Sequence, residues 1–272
     1  MKGAADRAPG GSGLQTLDRA VSVLTLLRDA GQPLALREIA KAMELPPPTV
    51  HRLLASLAAH NWVQCDLQTK VYRLGYGLLS YAEGLRTSGL LSLTTPVLEQ
   101  LSREFGETVT VQIRSGDNRV VIQEIEGTHE LRRKIGVGNT LPLYTSASGR
   151  ALLAFLGAGE IDRILSDPLV PLTPKSTVDM TRIREILADI RRTGTAYSVE
   201  ESELGVCAVA VPIFNASGAP EASIAMSGPM TRWDAVCTPR LIEQLHAAAS
   251  ATSRDLGFDR ATPWKHAERA GP

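Results

Sequence analysis

The sequence is poor in cysteine, aromatic residues, net charge and long apolar runs. Three cysteines in 272 residues, with no CxxC pair, are too few for a disulfide framework and fit reduced thiols. Aromatic residues at 4% disfavour a surface that binds single-stranded nucleic acid by base stacking. No apolar run approaches the roughly 18 residues of a membrane span, and the start lacks the apolar core of a signal peptide. We therefore expect a cytoplasmic protein with no membrane partner.

The net charge of zero is divided unevenly along the chain. The first 80 residues hold 9 lysines and arginines against 6 aspartates and glutamates, and the remainder holds 20 against 23. Such asymmetry is expected when only one segment meets a polyanion. The length of 272 residues favours two domains, because a single domain usually has about 100 to 200 residues.

The front of the chain carries the pattern of a winged helix-turn-helix. A short amphipathic helix around Ile39 is followed by Pro46, Pro47 and Pro48 and then by a second amphipathic helix. A residue before proline avoids the helical region, so Pro48 is predicted to be the first residue of that second helix. Two short strands around a polar turn come next and predict a wing.

The free face of this second helix and the polar turn of the wing predict contacts with double-stranded operator DNA. Residues near the start of such a helix meet base edges in the major groove, and the arginine fork suits guanine or phosphate. The alternative is an ordinary helical domain with solvated charges. The predicted DNA-binding residues are Thr49, His51, Arg52 and Ser56 on the helix, and Gln68, Lys70 and Arg73 on the wing.

The back of the chain predicts an α+β domain with an antiparallel sheet, which helices at its two ends are expected to cover on one face. The β-rich runs around Ser115 to Asn118 have the signature of a hairpin. Further strands are predicted at 130–137, 206–214 and 222–226, and helices at 96–105, 148–156, 181–192 and 239–256.

These patterns predict two domains joined by a linker helix, with loose segments at both ends of the chain. The expected parts are a flexible N-terminus at 1–13, a winged helix-turn-helix at 14–75, a linker helix at 76–89, an α+β domain at 90–260 of a kind that can hold a small molecule, and a loose tail at 261–272.

Several ordered motifs resemble the IclR family of bacterial transcriptional regulators. The family's winged helix-turn-helix is matched by LREIAKAMELPPPTVHRLLASLAAHNWV at 36–63 and by YRLG at 72–75. Its effector-domain motifs are matched by LPLYTSASGRALLA at 141–154 and PIFNASGAPEASIAMSGP at 212–229. The resemblance implies a GAF-like C-terminal fold and dimers, often paired as tetramers.

The chain departs from the family pattern at two places. Pro47 and Pro48 stand where the family usually has a basic residue and a serine, and Asn61 stands where it usually has a glycine. The two prolines remove an amine, a hydroxyl and a backbone N–H that would contact phosphate.

The resemblance also implies where a small-molecule effector binds. In the family, the loop before the helix near Ser148 supplies main-chain contacts to the effector, and the matching positions are Ala147 and Ser148. A helix start suits a carboxylate, although hydroxyls there that only cap the helix are the alternative. The same motif matching adds Ser198, Ala208, Ala225 and Ser227 as pocket positions.

Arg133 is a further candidate for the effector site. In the predicted strand at 130–137, alternation places it on the same face as Leu131 and Ile135. An arginine on an apolar face either reaches back to solvent or meets an anion. If Arg133 points inward, an organic acid is the simplest ligand.

Catalytic and metal-binding motifs are missing from the sequence. There is no GxSxG elbow, Walker loop, HExxH or zinc-spaced His/Cys cluster. Glu200, Glu201 and Glu203 are interpreted as a solvated loop rather than a metal cluster. No catalytic residue, metal ion or cofactor is therefore predicted.

Together these patterns predict a DNA-binding transcriptional regulator that is not an enzyme and is controlled by a small metabolite, such as an organic or aromatic acid. It would act at least as a homodimer, because two recognition helices need two half-sites, with Leu17, Val21 and Leu24 as a candidate contact stripe, and the family resemblance adds the homotetramer. One alternative is a redox-sensing regulator that uses Cys65, Cys207 or Cys237. The other is a small-molecule enzyme.

Overall fold

The computed structural model describes residues 15–81 and 89–259 and divides the chain into two compact units, residues 1–87 and 88–272. The predicted loose ends at 1–13 and 261–272 lie outside the described residues. So does half of the predicted linker helix, residues 82–88, whereas residues 78–81 are described and helical. None of the described helices is long and apolar enough to cross a membrane.

The N-terminal unit is the predicted winged helix-turn-helix. Apolar residues at helical spacing, among them Val23, Ile39, Val50 and Leu54, are buried in one core. The sheet is antiparallel with the order β1-β3-β2. The elements are α1 (Gln15–Ala30), β1 (Leu34–Ala35), α2 (Leu36–Ala42), α3 (Pro47–Ala59), β2 (Val63–Cys65) and β3 (Val71–Leu74).

The recognition helix α3 begins one residue before the prediction. Pro46 is the N-cap and Pro47, rather than Pro48, is the first helical residue. The fixed φ of proline suits the first turn, and its missing N–H needs no partner there. These advantages outweigh the steric preference against a helical residue before proline.

The wing is joined to α3 by a tight backbone crossing at Asn61. Asn61 has a φ of 57°, a left-handed conformation that asparagine adopts more readily than most residues, which explains why it can replace a glycine. A Cβ added at Gly75 would overlap the carbonyl oxygen of Asn61, and one added at Gly77 would lie 2.7 Å from it. The YRLG motif therefore needs its glycine for close backbone packing.

The C-terminal unit is built on a six-stranded antiparallel sheet of order β6-β5-β4-β9-β8-β7. Its strands are β4 (Thr108–Ser115), β5 (Asn118–Ile125), β6 (Thr140–Pro142), β7 (Ala196–Val199), β8 (Val206–Phe214) and β9 (Pro220–Pro229). Its helices are α4 (Gly89–Phe105), α5 (Ser146–Leu153), α6 (Ala158–Ile164), α7 (Met180–Thr193), α8 (Met230–Val236) and α9 (Pro239–Asp255).

Helices cover both faces of this sheet, whereas the sequence predicted that only one face is covered. Along β8, Val209 and Val211 pack in one cluster with residues of α4 and α9, such as Leu98 and Leu245. The intervening Ala210 packs in a second cluster with residues of α5 and α7. This alternation follows from the two-residue period of a strand.

The two buried faces differ in polarity. The sheet residues that face α4 and α9 are mostly apolar, whereas the other face carries buried polar side chains beside its apolar cluster. Along β4, Val109 and Val111 alternate with Thr108, Thr110 and Gln112, all of them buried. A buried polar face costs free energy unless its groups find partners, so this face is the place to look for a site.

The predicted third strand at 130–137 is wrong. The N–H groups of Ile135 and Gly136 donate to the Glu124 carboxylate, at 3.1 and 2.8 Å, instead of to a neighbouring strand. Gly136 and Gly138 also have positive φ angles of 88° and 86°. The sheet instead takes β6 as its edge, paired with the start of β5.

Helix α4 begins at Gly89 and not at Pro96 as predicted, so the proline lies inside the helix. Pro96 is exposed, while Leu90, Thr94 and Leu98 continue one buried stripe past it. Thr94 Oγ1 donates to the Leu90 carbonyl at 2.8 Å and Thr95 Oγ1 to that of Leu91 at 2.8 Å. Packing along the whole stripe therefore outweighs the local loss of one helical hydrogen bond.

We predict that Gly75→Ala destabilises the protein by about 1–3 kcal/mol, because the added methyl forces the Asn61 crossing apart. Thermal unfolding followed by circular dichroism measures the effect. Gly159→Ala is the matched control, since a Cβ there meets nothing within 4 Å. Equal melting temperatures for the two variants would contradict the close-packing role of Gly75.

Candidate functional sites

The predicted DNA-facing residues of α3 lie on one side of the helix. His51, Arg52 and Ser56 are exposed and Thr49 is half-buried, while Val50 and Leu53 on the opposite side are buried. No hydrogen bond or ion pair holds the Arg52 side chain among the described residues. The helix thus presents hydroxyl, imidazole and guanidinium groups to solvent, as a recognition helix does to the major groove.

The start of α3 has no free backbone donor for a phosphate. Pro46, Pro47 and Pro48 have no N–H, and the N–H groups of Thr49 and Val50 both donate to the Pro46 carbonyl, at 2.9 and 3.2 Å. Side chains must therefore make any contact at this end of the helix.

The wing places its three predicted residues at the surface. Gln68, Lys70 and Arg73 are exposed, and Arg73 Nε donates to Gln64 Oε1 across the β2–β3 pair at 3.3 Å. The turn is fixed by Asp66, whose Oδ1 accepts from the Gln68 and Thr69 N–H groups at 2.8 and 3.0 Å. These hydrogen bonds lower the pKa of the Asp66 carboxyl.

The effector-site prediction centres on the start of α5. Thr145 is the N-cap, yet its hydroxyl donates backward to the Pro142 carbonyl at 2.7 Å and caps no N–H of the helix. Ser146 has a positive φ of 62°, and a Cβ at Gly149 would overlap the Leu143 carbonyl oxygen. The capping alternative is therefore wrong for Thr145, and the first N–H groups of α5 receive no side-chain cap from it.

A cavity lies between the polar face of the sheet and the start of α5. Six of the seven predicted effector residues line it: Arg133, Ser148, Ser198, Ala208, Ala225 and Ser227. The seventh, Ala147, is fully buried in the core beneath. The remaining lining residues are Thr110, Gln112, Arg119, Ile135, Ser146, Ser202, Val206 and Cys207.

Strand register explains why residues so far apart in sequence meet at this cavity. Ser198, Ala208 and Ser227 lie side by side in one row across β7, β8 and β9. In the adjoining row Ala225 is paired with Thr110 of β4. The structure thus brings the motif-matched positions together, and their effector-binding role remains a prediction.

Arg133 points into the unit, although the strand expected to direct it is absent. Its side chain is 11% exposed and its Nη1 lies 2.8 Å from Oε2 of Glu203. Leu131, expected on the same buried face, is 66% exposed. Burial lowers the pKa of Arg133, and the nearby Glu203 and Glu124 oppose this shift.

Arg119 is a cavity residue that the sequence interpretation missed. It lies near the start of β5, is 2% exposed, and has no hydrogen-bond partner at Nε or Nη1 within the described ranges. Burial, together with the like charge of Arg133, lowers its pKa to about 10. It therefore stays protonated at pH 7. The sequence feature that could have indicated its inward orientation is the two-residue alternation of a strand next to a polar turn.

The loop that follows β7 is solvated only in part, because Glu203 is exposed as predicted, whereas Glu200 is buried and Glu201 half-buried, and all three pair with cations. Glu201 Oε2 lies 2.6 Å from Nη1 of Arg150, which is 2% exposed, and Glu203 pairs with Arg133. Glu200 pairs with Lys175; this contact and the Gly205 N–H lower the pKa of the Glu200 carboxyl. Glu200, Glu201 and Glu203 therefore hold this loop against three separate basic side chains.

Cys207 and Cys237 lie in surroundings that keep their thiols protonated. Burial raises the pKa of Cys207, and it raises that of Cys237 to about 11 with help from Cys207 and Asp234. A protonated thiol is a poor nucleophile at neutral pH. Nothing in this geometry favours the redox alternative over effector binding.

Comparisons with known proteins assign both units. The IclR helix-turn-helix domain model matches residues 16–67, and the bacterial transcriptional regulator IclR C-terminal model matches residues 82–254. These two models cover most of the chain. It therefore belongs to the IclR family of bacterial DNA-binding transcriptional regulators and carries that family's effector-binding domain.

Individual relatives span nearly the whole chain. The HTH-type transcriptional regulator XynR of Escherichia coli is 31% identical over 249 residues, which cover 90% of this chain and 98% of XynR. The crystal structure of Thermotoga maritima IclR is similar with a TM-score of 0.74 and 27% identity, covering 90% of this chain and 100% of that one. An IclR homologue from Microbacterium hydrocarbonoxydans complexed with 4-hydroxybenzoate has a TM-score of 0.76 and 25% identity, with 89% and 99% coverage.

We predict that Glu201→Leu lowers the free energy of unfolding by about 3–5 kcal/mol, because it leaves Arg150 buried without its carboxylate. The double variant Arg150→Met/Glu201→Leu should recover much of that loss. Thermal and denaturant unfolding measure both.

The matched control is Glu185→Leu, which removes a carboxylate paired with Arg182 at the surface and should cost about 1 kcal/mol or less. A Glu201→Leu variant as stable as this control would contradict a buried ion pair.

Proposed function

We propose that a small organic acid bound in the cavity controls how this IclR-family regulator engages operator DNA through α3 and the wing. The observation that carries the proposal is the lining of the cavity and not its volume, which is about 20 Å³. The cavity is lined by a protonated, unpaired guanidinium and by the positions that match the family's effector motifs. A buried cation of this kind calls for an anionic ligand.

The acid is supported from two independent sides. The described side chains around the cavity bring two arginines, Arg119 and Arg133, against five apolar positions. The Microbacterium hydrocarbonoxydans homologue was crystallised with 4-hydroxybenzoate, which is a carboxylic acid. We extend to this chain only the carboxylate, as the common chemical feature.

The DNA contacts proposed are those of the exposed face of α3 and of the wing turn. Arg52, with no partner in the described part of the chain, is available to a guanine edge or a phosphate. Lys70 and Arg73 are placed to contact the phosphate backbone, where each neutralised phosphate contributes to the salt dependence of binding.

A homodimer or tetramer is proposed because two recognition helices read two half-sites about 34–36 Å apart. On α1, Leu17 and Val21 are 56% and 54% exposed, which supports this stripe as a contact between copies. Effector control then requires that the acid bind one arrangement of the assembly more tightly than another. The segment at 76–89, for which the sequence predicted a linker helix, is proposed as the transmitter.

The test begins with operator sequences selected by the full-length protein from a random double-stranded library. We predict inverted repeats, and we predict that Arg52→Ala weakens binding to them by about 10- to 100-fold, the value of one good side-chain contact. Fluorescence anisotropy at a fixed salt concentration measures the affinity, and added organic acids should change it.

Arg103→Ala is the matched control, because Arg103 is exposed in the C-terminal unit and, among the residues that the structure describes, pairs only with Glu99 along α4. Its affinity for the selected DNA should equal that of the wild type. Equal loss in both variants, or no loss in Arg52→Ala, would contradict the proposed recognition face.

A further inference from the structure

Arg119 is the buried cation whose charge the described part of the chain does not balance. Its side chain lines the cavity, and its Nε–H and Nη1–H groups donate to no partner among the described residues. The neighbouring charge that acts on it is another cation, Arg133. Taking an arginine out of water without a counter-charge is strongly unfavourable.

The carboxylates around the cavity are already engaged elsewhere. Glu203 lies 2.8 Å from Arg133 and Glu201 lies 2.6 Å from Arg150. The Glu124 carboxylate accepts from the N–H groups of Ile135 and Gly136. Among the described residues Arg119 therefore has no carboxylate partner, whereas Arg133 Nη1 has Glu203 Oε2 at 2.8 Å, although without the geometry of a hydrogen bond.

The wall around Arg119 is rich in hydroxyls and holds further unpartnered polar atoms. Nine of the fourteen lining side chains are polar, and none of those described is aromatic. Gln112 Nε2 donates to Thr110 Oγ1 at 2.9 Å, which leaves the buried Gln112 Oε1 without a donor. Ser146 Oγ and Ser227 Oγ are likewise buried and unpartnered.

We infer that Arg119 binds the carboxylate of the effector, and that this wall selects a hydroxylated aliphatic acid over an aromatic one. The inference rests on the proposed function and narrows its ligand. The planar guanidinium fork matches a carboxylate with two parallel hydrogen bonds. Hydroxyl groups of the ligand then donate to Gln112 Oε1 and form hydrogen bonds with the hydroxyls of Ser146 and Ser227. An aromatic ring would leave these three buried polar atoms without partners, which costs binding free energy.

A first experiment needs no ligand. Arg119→Met replaces the unpaired charge with an apolar chain of similar length, so the melting temperature of the full chain should rise by about 2 °C or more. A structural arginine with a hidden role would show the opposite, a fall. Arg163→Met is the matched control, since it removes an exposed pair with Asp117 and should change the melting temperature less.

The second experiment is calorimetric titration of the full chain with glycolate, glycerate, tartrate and gluconate. Benzoate and 4-hydroxybenzoate serve as the aromatic probes, and the polyol glucitol as the uncharged one. At least one hydroxy acid should bind tenfold more tightly than either aromatic acid, with no binding of glucitol. Arg119→Met should weaken that binding by about 30-fold or more, Arg119→Lys should restore it only in part, and Arg163→Met should leave it unchanged.

The outcomes separate this inference from the proposed function. If an acid binds Arg119→Met as tightly as wild type and still changes DNA affinity, the role of Arg119 is wrong and the proposed function stands. Tighter binding of an aromatic acid, or a fall in the melting temperature of Arg119→Met, also overturns the inference alone. If no probe binds and none changes operator affinity, both are overturned.

Discussion

The effector domain depends on one electrostatic constraint, which is a protonated guanidinium held inside a sheet. Arg119 is 2% exposed, and the like charge of Arg133 adds to the cost of its burial. The apolar face of the same sheet, packed against α4 and α9, supplies hydrophobic stabilisation that offsets this cost. A domain with two covered faces can therefore keep one face polar, and that polar face is where a ligand finds its partners.

Three buried arginines of the effector domain differ in whether a carboxylate of the protein lies beside them. Arg150 is satisfied by Glu201 and fixes the loop after β7 to α5, while Arg133 is held by Glu203, whose side chain is 59% exposed. Of these three arginines, Arg119 alone has no carboxylate partner in the described part of the chain. Arg119, which lines the cavity, is thus the arginine that a ligand carboxylate would satisfy, whereas Arg133 and Arg150 have carboxylates of the protein beside them.

Local patterns in the sequence predicted most of the DNA-binding unit, because its elements follow each other along the chain. The proline run marked the start of α3 to within one residue, and the helical spacing identified its buried side. The effector domain was harder to predict. Arg119 stands next to a polar turn, its neighbours in the cavity come from other strands, and no periodicity reveals which charge lacks a partner.

The errors in the effector domain have a common physical cause. Side chains distant in sequence took over hydrogen bonds that local rules assign elsewhere. Glu124 satisfied the N–H groups of Ile135 and Gly136 and so removed a predicted strand, and basic residues paired with Glu200 and Glu201, which were expected in solvent. The motif-matched positions were nevertheless brought together, because strand register places Ser198, Ala208 and Ser227 in one row.

The most direct measurement is the NMR signal of the Arg119 Nε–H, assigned by its loss in Arg119→Met, during titration of the full chain with a hydroxy acid that binds. We predict a large shift of this resonance, because the carboxylate becomes the hydrogen-bond acceptor of the Arg119 Nε–H group. The shift should saturate with the same affinity as the calorimetric binding. An unshifted Arg119 Nε–H at full occupancy of the acid would contradict this prediction.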